Sequence, residues 1–140
     1  YISSLLFIFY LINFITITPY HYTYLNILSG PKNERYKKFE NDYWSTSLKE
    51  LILSSNLSNK KISYTVCGVN PAVAKIYMSQ KYKNVEYTDV SQASYIIMTN
   101  RTLYLDENQS ISNCFDKYDF KNVAEVKRNG LILSAIKKLK

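Results

Sequence analysis

Residues 1–17, YISSLLFIFYLINFITI, contain no charged side chain, and Asn13 is the one strongly polar group in the middle of the run. No other feature limits the possible folds as tightly. Crossing the hydrocarbon core of a bilayer takes roughly 20 apolar residues. The run is a few residues short of that, and the chain opens inside it on Tyr1 rather than Met. It therefore reads as the C-terminal end of a transmembrane helix belonging to a longer protein. A secretory signal would bring a basic leading region and a small-residue cleavage site, and neither is present. A helix buried in a soluble core would need a polar face, which this segment lacks. Pro19 ends or bends the helix. Tyr20, Tyr22 and Tyr24 then fall where aromatic belts sit, at the lipid–water boundary. The division expected is residues 1–18 as helix end, 19–46 as membrane-interface junction and 47–140 as a soluble domain.

A chain of 140 residues holds one compact domain and a short appendage. Its formal charge of +7 is compatible with anionic partners. However, Lys, Asn, Ile, Tyr and Ser are all abundant, the set that an AT-rich genome yields, so the charge is discounted. No nucleic-acid-binding motif accompanies it, and no nucleic acid partner is expected. Lys32, Arg35, Lys37 and Lys38, set against Glu34 and Glu40, pull this side of the helix toward the cytoplasm. That rule compares two flanks, and only one is in hand. Cys67 and Cys114 lack the close spacing of a zinc or redox pair. Two unpaired buried thiols are expected, with a single disulfide as the alternative in an oxidising compartment.

From residue 47 on, the pattern predicts an α/β fold: a small three-layer-like domain with a mostly parallel central sheet and a C-terminal β-hairpin. Ser29-Gly30-Pro31 and the mixed charges after it read as a loop. Ser47-Leu-Lys-Glu50 has the form of a capping box, followed by an apolar stripe of Leu48, Leu51 and Ile52, with Leu57 beyond. Ile62–Cys67 alternates as a strand. Asn70-Pro71 starts a helix to about Tyr82, with Val73, Ile76 and Tyr77 as its apolar face. Asn84–Tyr87 is a short strand, and Tyr95–Thr99 is a continuous apolar run suited to a buried central strand. Residues 100–119 read as a polar loop. Asn129-Gly130, between two strand patterns, is a strong hairpin signal, since a type I′ turn needs positive φ twice. Lys137, Lys138 and Lys140 read as a basic tail.

Few residues suggest chemistry. His21 is the only histidine, which rules out a multi-histidine metal site. It is expected to pack or hydrogen-bond rather than act as a base. Asp42, beside Tyr43 and Trp44, is a candidate for a sugar hydroxyl, with Trp44 stacked on the ring. The preferred alternative has Asp42 capping the approach to the helix while Trp44 packs under the domain or on lipid. Gly68-Val-Asn-Pro71 lies between strand and helix, where a phosphate could sit, but it lacks a phosphate-loop pattern. No metal ligand set and no cofactor is expected, and the acidic pairs Asp106-Glu107 and Asp116/Asp119 read as solvated loop charge.

The segment Pro19-Tyr-His-Tyr-Thr-Tyr-Leu-Asn26, then Gly30, then Phe39-Glu-Asn-Asp-Tyr-Trp-Ser-Thr-Ser-Leu-Lys-Glu50, resembles one found in polytopic membrane glycosyltransferases. These enzymes use polyprenyl-phosphate sugars and are related to the protein O-mannosyltransferases and the lipopolysaccharide-modifying transferases. Their pattern looks like His-Pro-Tyr-x-Tyr-x-Tyr-Phe-Asn, a Gly-rich turn, then Asp-Tyr-Trp-Gly-x-Ser-x-Lys/Arg-Glu, just after the last transmembrane helix. Ala93–Arg101 and Asn129–Leu133 also look similar. The resemblance implies an integral membrane protein with this domain on the extracytoplasmic (periplasmic) side. Membrane lipid, the upstream transmembrane part of the same protein and a lipid-linked sugar donor are then the implied partners. It also implies that the catalytic carboxylate lies upstream, so this stretch would be non-catalytic. Tyr20, His21, Tyr22, Tyr24, Asn26, Asp42, Tyr43 and Trp44 become candidate substrate- or membrane-docking residues. Two departures stand out: Thr18 replaces His, and Ser45 replaces Gly, the latter implying an ordinary backbone conformation there. The alternative function is a single-pass membrane-anchored binding module without enzymatic activity.

Overall fold

In a computed structural model, residues 1–21, 30–31, 42, 44–58, 61–105 and 110–139 are described. The elements are α1 (Ile2–Ile17), α2 (Leu48–Ser54), β1 (Ile62–Cys67), α3 (Pro71–Lys81), β2 (Val85–Tyr87), β3 (Tyr95–Thr99), β4 (Thr102–Leu105), β5 (Ser110–Asn113), α4 (Cys114–Lys117), β6 (Asn122–Arg128) and β7 (Leu131–Lys138). The expected loop at 27–41 lies outside the described residues except at 30–31.

Strands β1, β2, β3, β6 and β7 form one sheet in the order β2-β1-β3-β7-β6, with β4 and β5 as a separate antiparallel pair. β3 is central, and all five of its residues are buried. β1 pairs in parallel with β2 and with β3, while β7 runs antiparallel to both β3 and β6. The sheet is therefore mixed, not mostly parallel. Joining β3 in parallel needs a crossover, and β6 makes one but lies on the outer edge. The two-residue Asn129–Gly130 turn, with φ of 46° and 78°, then returns β7 into the gap between β6 and β3. The predicted hairpin thus supplies two of the sheet's five strands and is not an addition to it.

Successive residues of a strand face opposite sides, so the sheet has two cores. On one side Ile62, Tyr64, Tyr95, Ile97 and Ile136 meet Leu48, Leu51 and Ile52 of α2 and Ala74 and Met78 of α3. On the other, Ile96, Met98 and Ala135 meet Cys67 and Cys114. Asn70 caps α3 by accepting from the Ala72 amide at 2.9 Å, with Pro71 in the first turn. The buried stripe of α3 is Ala74 and Met78, whereas Val73 and Ile76 are exposed. The buried face is thus turned from the predicted one, of which only Tyr77 packs against the core.

Residues 100–119, expected to be loop, contain β4, β5 and the one-turn α4. Asn113 caps α4 by accepting from the Phe115 amide at 2.9 Å. Cys67 and Cys114 form a disulfide, with Cα atoms 5.8 Å apart, in place of the expected free thiols. The β1 end and the α4 start converge on the second core, a proximity invisible in their separation of 47 residues. Gly68 follows at φ 70°, and a Cβ there would stand 3.0 Å from Arg101 Cβ and 3.1 Å from Cys114 Sγ. Lys137 and Lys138 belong to β7 and not to a tail.

Candidate functional site: the junction of helix and domain

Every apolar side chain of α1 from Ile2 to Ile15 is exposed, and only Ile17 of this helix is buried. Toward its C-terminal end, three polar side chains turn back on the helix. Asn13 Nδ2 donates to Phe9 O (2.8 Å), Thr16 Oγ1 to Asn13 O (2.9 Å) and Thr18 Oγ1 to Phe14 O (3.0 Å). Such back-bonding leaves few polar groups needing water. Among the described residues no helix is long and apolar enough to cross a membrane. The 16 residues of α1 reach about 24 Å at the helical rise.

At the foot of α1 the Thr18–Pro19 peptide is cis, and the next two rings diverge. His21 is exposed and stacks on Phe14, ring centroids 4.1 Å apart. Its Nε2 lies 3.1 Å from Thr18 Oγ1. Thr18 spends its one hydroxyl proton on Phe14 O, so His21 is the donor in this pair. Tyr20 instead enters the domain core. Its hydroxyl donates to Glu50 Oε2 at 2.7 Å.

Arg128, the last residue of β6, closes this junction. Its Nη2 donates to both Glu50 oxygens at 2.9 and 2.8 Å, and its Nε donates to Thr18 O at 3.4 Å. The guanidinium carbon lies 5.1 Å from the Tyr20 ring centroid, a cation–π distance. One cation thus holds the carbonyl end of α1, where the helix dipole is negative, together with α2 and the hairpin. Burial alone would raise the Glu50 carboxyl, but hydrogen bonds from Tyr20 and Arg128 outweigh it and hold the carboxyl below its ordinary value. Burial, followed by the bond to Glu50, pushes the Tyr20 phenol well above its ordinary value. Nothing in the sequence singles out Arg128, which precedes a turn and looks like a solvated hairpin charge.

Asp42 is buried and binds the turn that leads into α2. Oδ1 accepts from the Thr46 amide (2.9 Å) and hydroxyl (3.2 Å), and Oδ2 accepts from the Ser47 amide (3.2 Å) and hydroxyl (2.5 Å). A carboxylate only accepts, so the Ser47 hydroxyl proton goes to Asp42. Ser134 then supplies the proton of the 2.7 Å contact between the two serines. The capping box does not form: Ser47 makes no side-chain cap bond to α2, and Glu50 is taken by Tyr20 and Arg128. Trp44 stands out from the surface, 77% exposed, rather than under the domain.

Ser45 also departs from expectation. Its φ is 55°, the left-handed region that glycine favours. The turn imposes this: Ser45 N donates to Asp42 O (2.9 Å), and Leu48 N donates to Ser45 O (3.1 Å). The structure therefore brings Tyr20 and Asp42 into the domain and leaves His21 and Trp44 on its surface. Tyr22, Tyr24, Asn26 and Tyr43 lie outside the described residues. Among the described residues, no group of three His, Cys, Asp or Glu side chains could hold a metal ion. The arrangement is suited to holding helix and domain in one orientation.

Fold and junction together define a small α/β domain with a five-stranded mixed sheet, carried at the foot of an apolar helix. No family model, no curated protein and no solved structure matches the chain.

Proposed function

We propose that the chain is the last membrane helix and the C-terminal extracytoplasmic domain of a polyprenyl-phosphate-sugar-dependent glycosyltransferase. The domain itself is non-catalytic. The whole enzyme would transfer the sugar from its lipid phosphate to a hydroxyl-bearing lipid, glycan or protein. The observation that carries the membrane part is α1: apolar on all sides, exposed, and with its inner polar groups bonded to its own carbonyls. Such a helix is stable where an apolar phase surrounds it. The disulfide supports an oxidising compartment, outside the cytoplasm. The sugar-transfer part rests on the resemblance of the junction sequence. On this reading Tyr20 and Arg128 fix the domain against the membrane helix, and Trp44 lies at the headgroup level, as tryptophans at membrane boundaries do.

The test has two arms. Membranes from cells expressing the full reading frame are washed with alkaline carbonate, and the protein should stay in the pellet. Release into the wash would end the membrane reading. The same membranes, given a radiolabelled polyprenyl-phosphate sugar, should transfer label to an endogenous acceptor. Trp44→Ala should lower that transfer, and full turnover at normal expression would remove Trp44 from the docking surface. A second reading, an anchored binding module without enzymatic activity, is favoured by a cleft on the domain's other flank. A start codon directly before Tyr1 would decide for it.

A further inference from the structure

The two faces of the sheet are unequally covered. Among the described residues, helices α2 and α3 lie over one, while the other has the one-turn α4 and the segment after it. On that side the described residues leave the outer part of the β6–β7 hairpin open. A cleft of about 760 Å³ fills the space, within the range of small-ligand sites. It is bounded by Phe115, Asp116, Asp119 and Phe120 on one side and by Asn122, Lys127, Ile132 and Lys137 on the other.

Its charges cancel. Lys127 is paired with Glu125 at 2.9 Å, and with that carboxylate counted, three acidic groups (Asp116, Asp119 and Glu125) balance Lys121, Lys127 and Lys137. A cleft with both carboxylates and ammonium groups but no net sign suits a ligand whose groups both donate and accept, as hydroxyls do. Phe120 is 46% exposed, so its ring is open to an apolar surface of the same ligand, while Phe115 packs against the second core beside the Lys137 ammonium. Asn122 gives one amide proton to Glu125 at 2.7 Å, and its carbonyl is able to accept. Lys137 is fixed: only 6% exposed, it donates to Tyr118 O at 2.7 Å and Phe115 O at 3.5 Å, with a third ammonium proton beyond these two bonds. Strand addition by a peptide along β6 is disfavoured, because the β6–β7 ladder slips register beside Asn122 and again beside Lys127. Such irregularities twist an edge away from further pairing.

We propose that this cleft is a binding site for a neutral saccharide, with Phe120 against the ring face and Asp119, Asn122 and Lys137 on its hydroxyls. The site does not depend on membrane insertion of α1 or on the glycosyltransferase reading. Burial lowers the Lys137 ammonium pKa, and Asp119 and Asp116 oppose that shift.

The test is titration of the full chain, ¹⁵N-labelled and held in a detergent without sugar headgroups. The probes are mannotriose, maltotriose and N-acetylchitotriose, with trigalacturonate and an eight-residue Val-Thr peptide as competitors. At least one neutral trisaccharide should shift the amides of Phe120, Asn122 and Lys137. Phe120→Ala should weaken it about fivefold to tenfold, the loss of one ring contact, and Asp119→Asn should weaken it by a smaller factor. Both positions border the cleft outside the cores, and an unchanged spectrum elsewhere checks the fold. The proposal is overturned if none of the three sugars shifts these amides, or if trigalacturonate binds more tightly. Peptide-induced shifts along β6 in place of sugar binding, or full affinity in Phe120→Ala, would also overturn it.

Discussion

Helix α1 and the domain behind it hold apolar side chains in opposite ways. In the domain, Ile96, Ile97, Met98 and Ile136 are fully buried on the two sides of one sheet, and the chain supplies its own apolar interior. In α1 the side chains of the same kind face outward, with Ile17 alone buried. The polar groups follow the same division. Asp42, Ser47 and Ser134 satisfy one another across 87 residues of sequence, whereas the bonds of Asn13 and Thr16 span three or four residues. The domain depends on long-range closure and the helix on local closure, and Arg128 is where the two meet.

The sharpest way to separate the two is to open the long-range closure. The Cys67–Cys114 disulfide closes a loop of 47 residues, and the chain-entropy relation gives about 4 kcal/mol for a loop of that length. Cys67→Ala with Cys114→Ala should lower the urea unfolding free energy of the domain by about that amount. The helical signal of α1 in micelles should not change. Loss of both together would mean that α1 depends on the domain for its structure.

Next in size is the junction. Arg128→Ala removes the bonds to Glu50 and Thr18 O and the cation over Tyr20. Glu50 is partly exposed, so solvent screening holds the expected loss to about 1–2 kcal/mol. The readout that isolates the junction is proteolysis: cleavage between α1 and α2 should speed up while the domain remains resistant. Equal sensitivity of variant and parent would show that Arg128 is a surface charge without a holding role.

The same junction should respond to acid. The Glu50 carboxyl is held below its ordinary value of 4.5, so its contribution is complete above that pH. It fades as pH falls through the lower folded value, where the carboxylate becomes protonated. Junction proteolysis of the parent should therefore rise at low pH, and Glu50→Gln should flatten the profile. A parent profile that is flat below pH 4.5 would contradict the assignment.

The β1–α3–β2 unit, the central strand β3 and the final hairpin were legible because each rests on local signals: alternation, the Asn70-Pro71 start and Asn129-Gly130. The mixed pairing was not, since it depends on where β7 is inserted, and local pattern carries no record of that. The disulfide and the Arg128 contacts were hidden for the same reason. They join residues 47 and 78 positions apart, and only the folded sheet makes them neighbours. In the junction, Tyr20 and Asp42 were legible as candidates, but their partners were not. The capping box failed because Ser47 and Glu50 each had a better partner: Asp42 for one, Tyr20 with Arg128 for the other.

Ser45 gives the smallest expected effect and the finest test of the junction. Its φ of 55° costs a residue with a Cβ roughly 1 kcal/mol relative to glycine. Against this, the serine hydroxyl gains little, since its contacts with Gly68 O and Thr99 Oγ1 are both 3.4 Å long. Ser45→Gly should therefore stabilise the domain by about 0.5 kcal/mol, part of the gain being lost to the greater freedom of glycine in the unfolded chain. Ser45→Ala, which keeps the strain and loses the contacts, should destabilise slightly. If Ser45→Gly proved less stable than the parent, the hydroxyl contacts would outweigh the backbone strain. The glycine in the sequence pattern that this junction resembles would then need a different explanation.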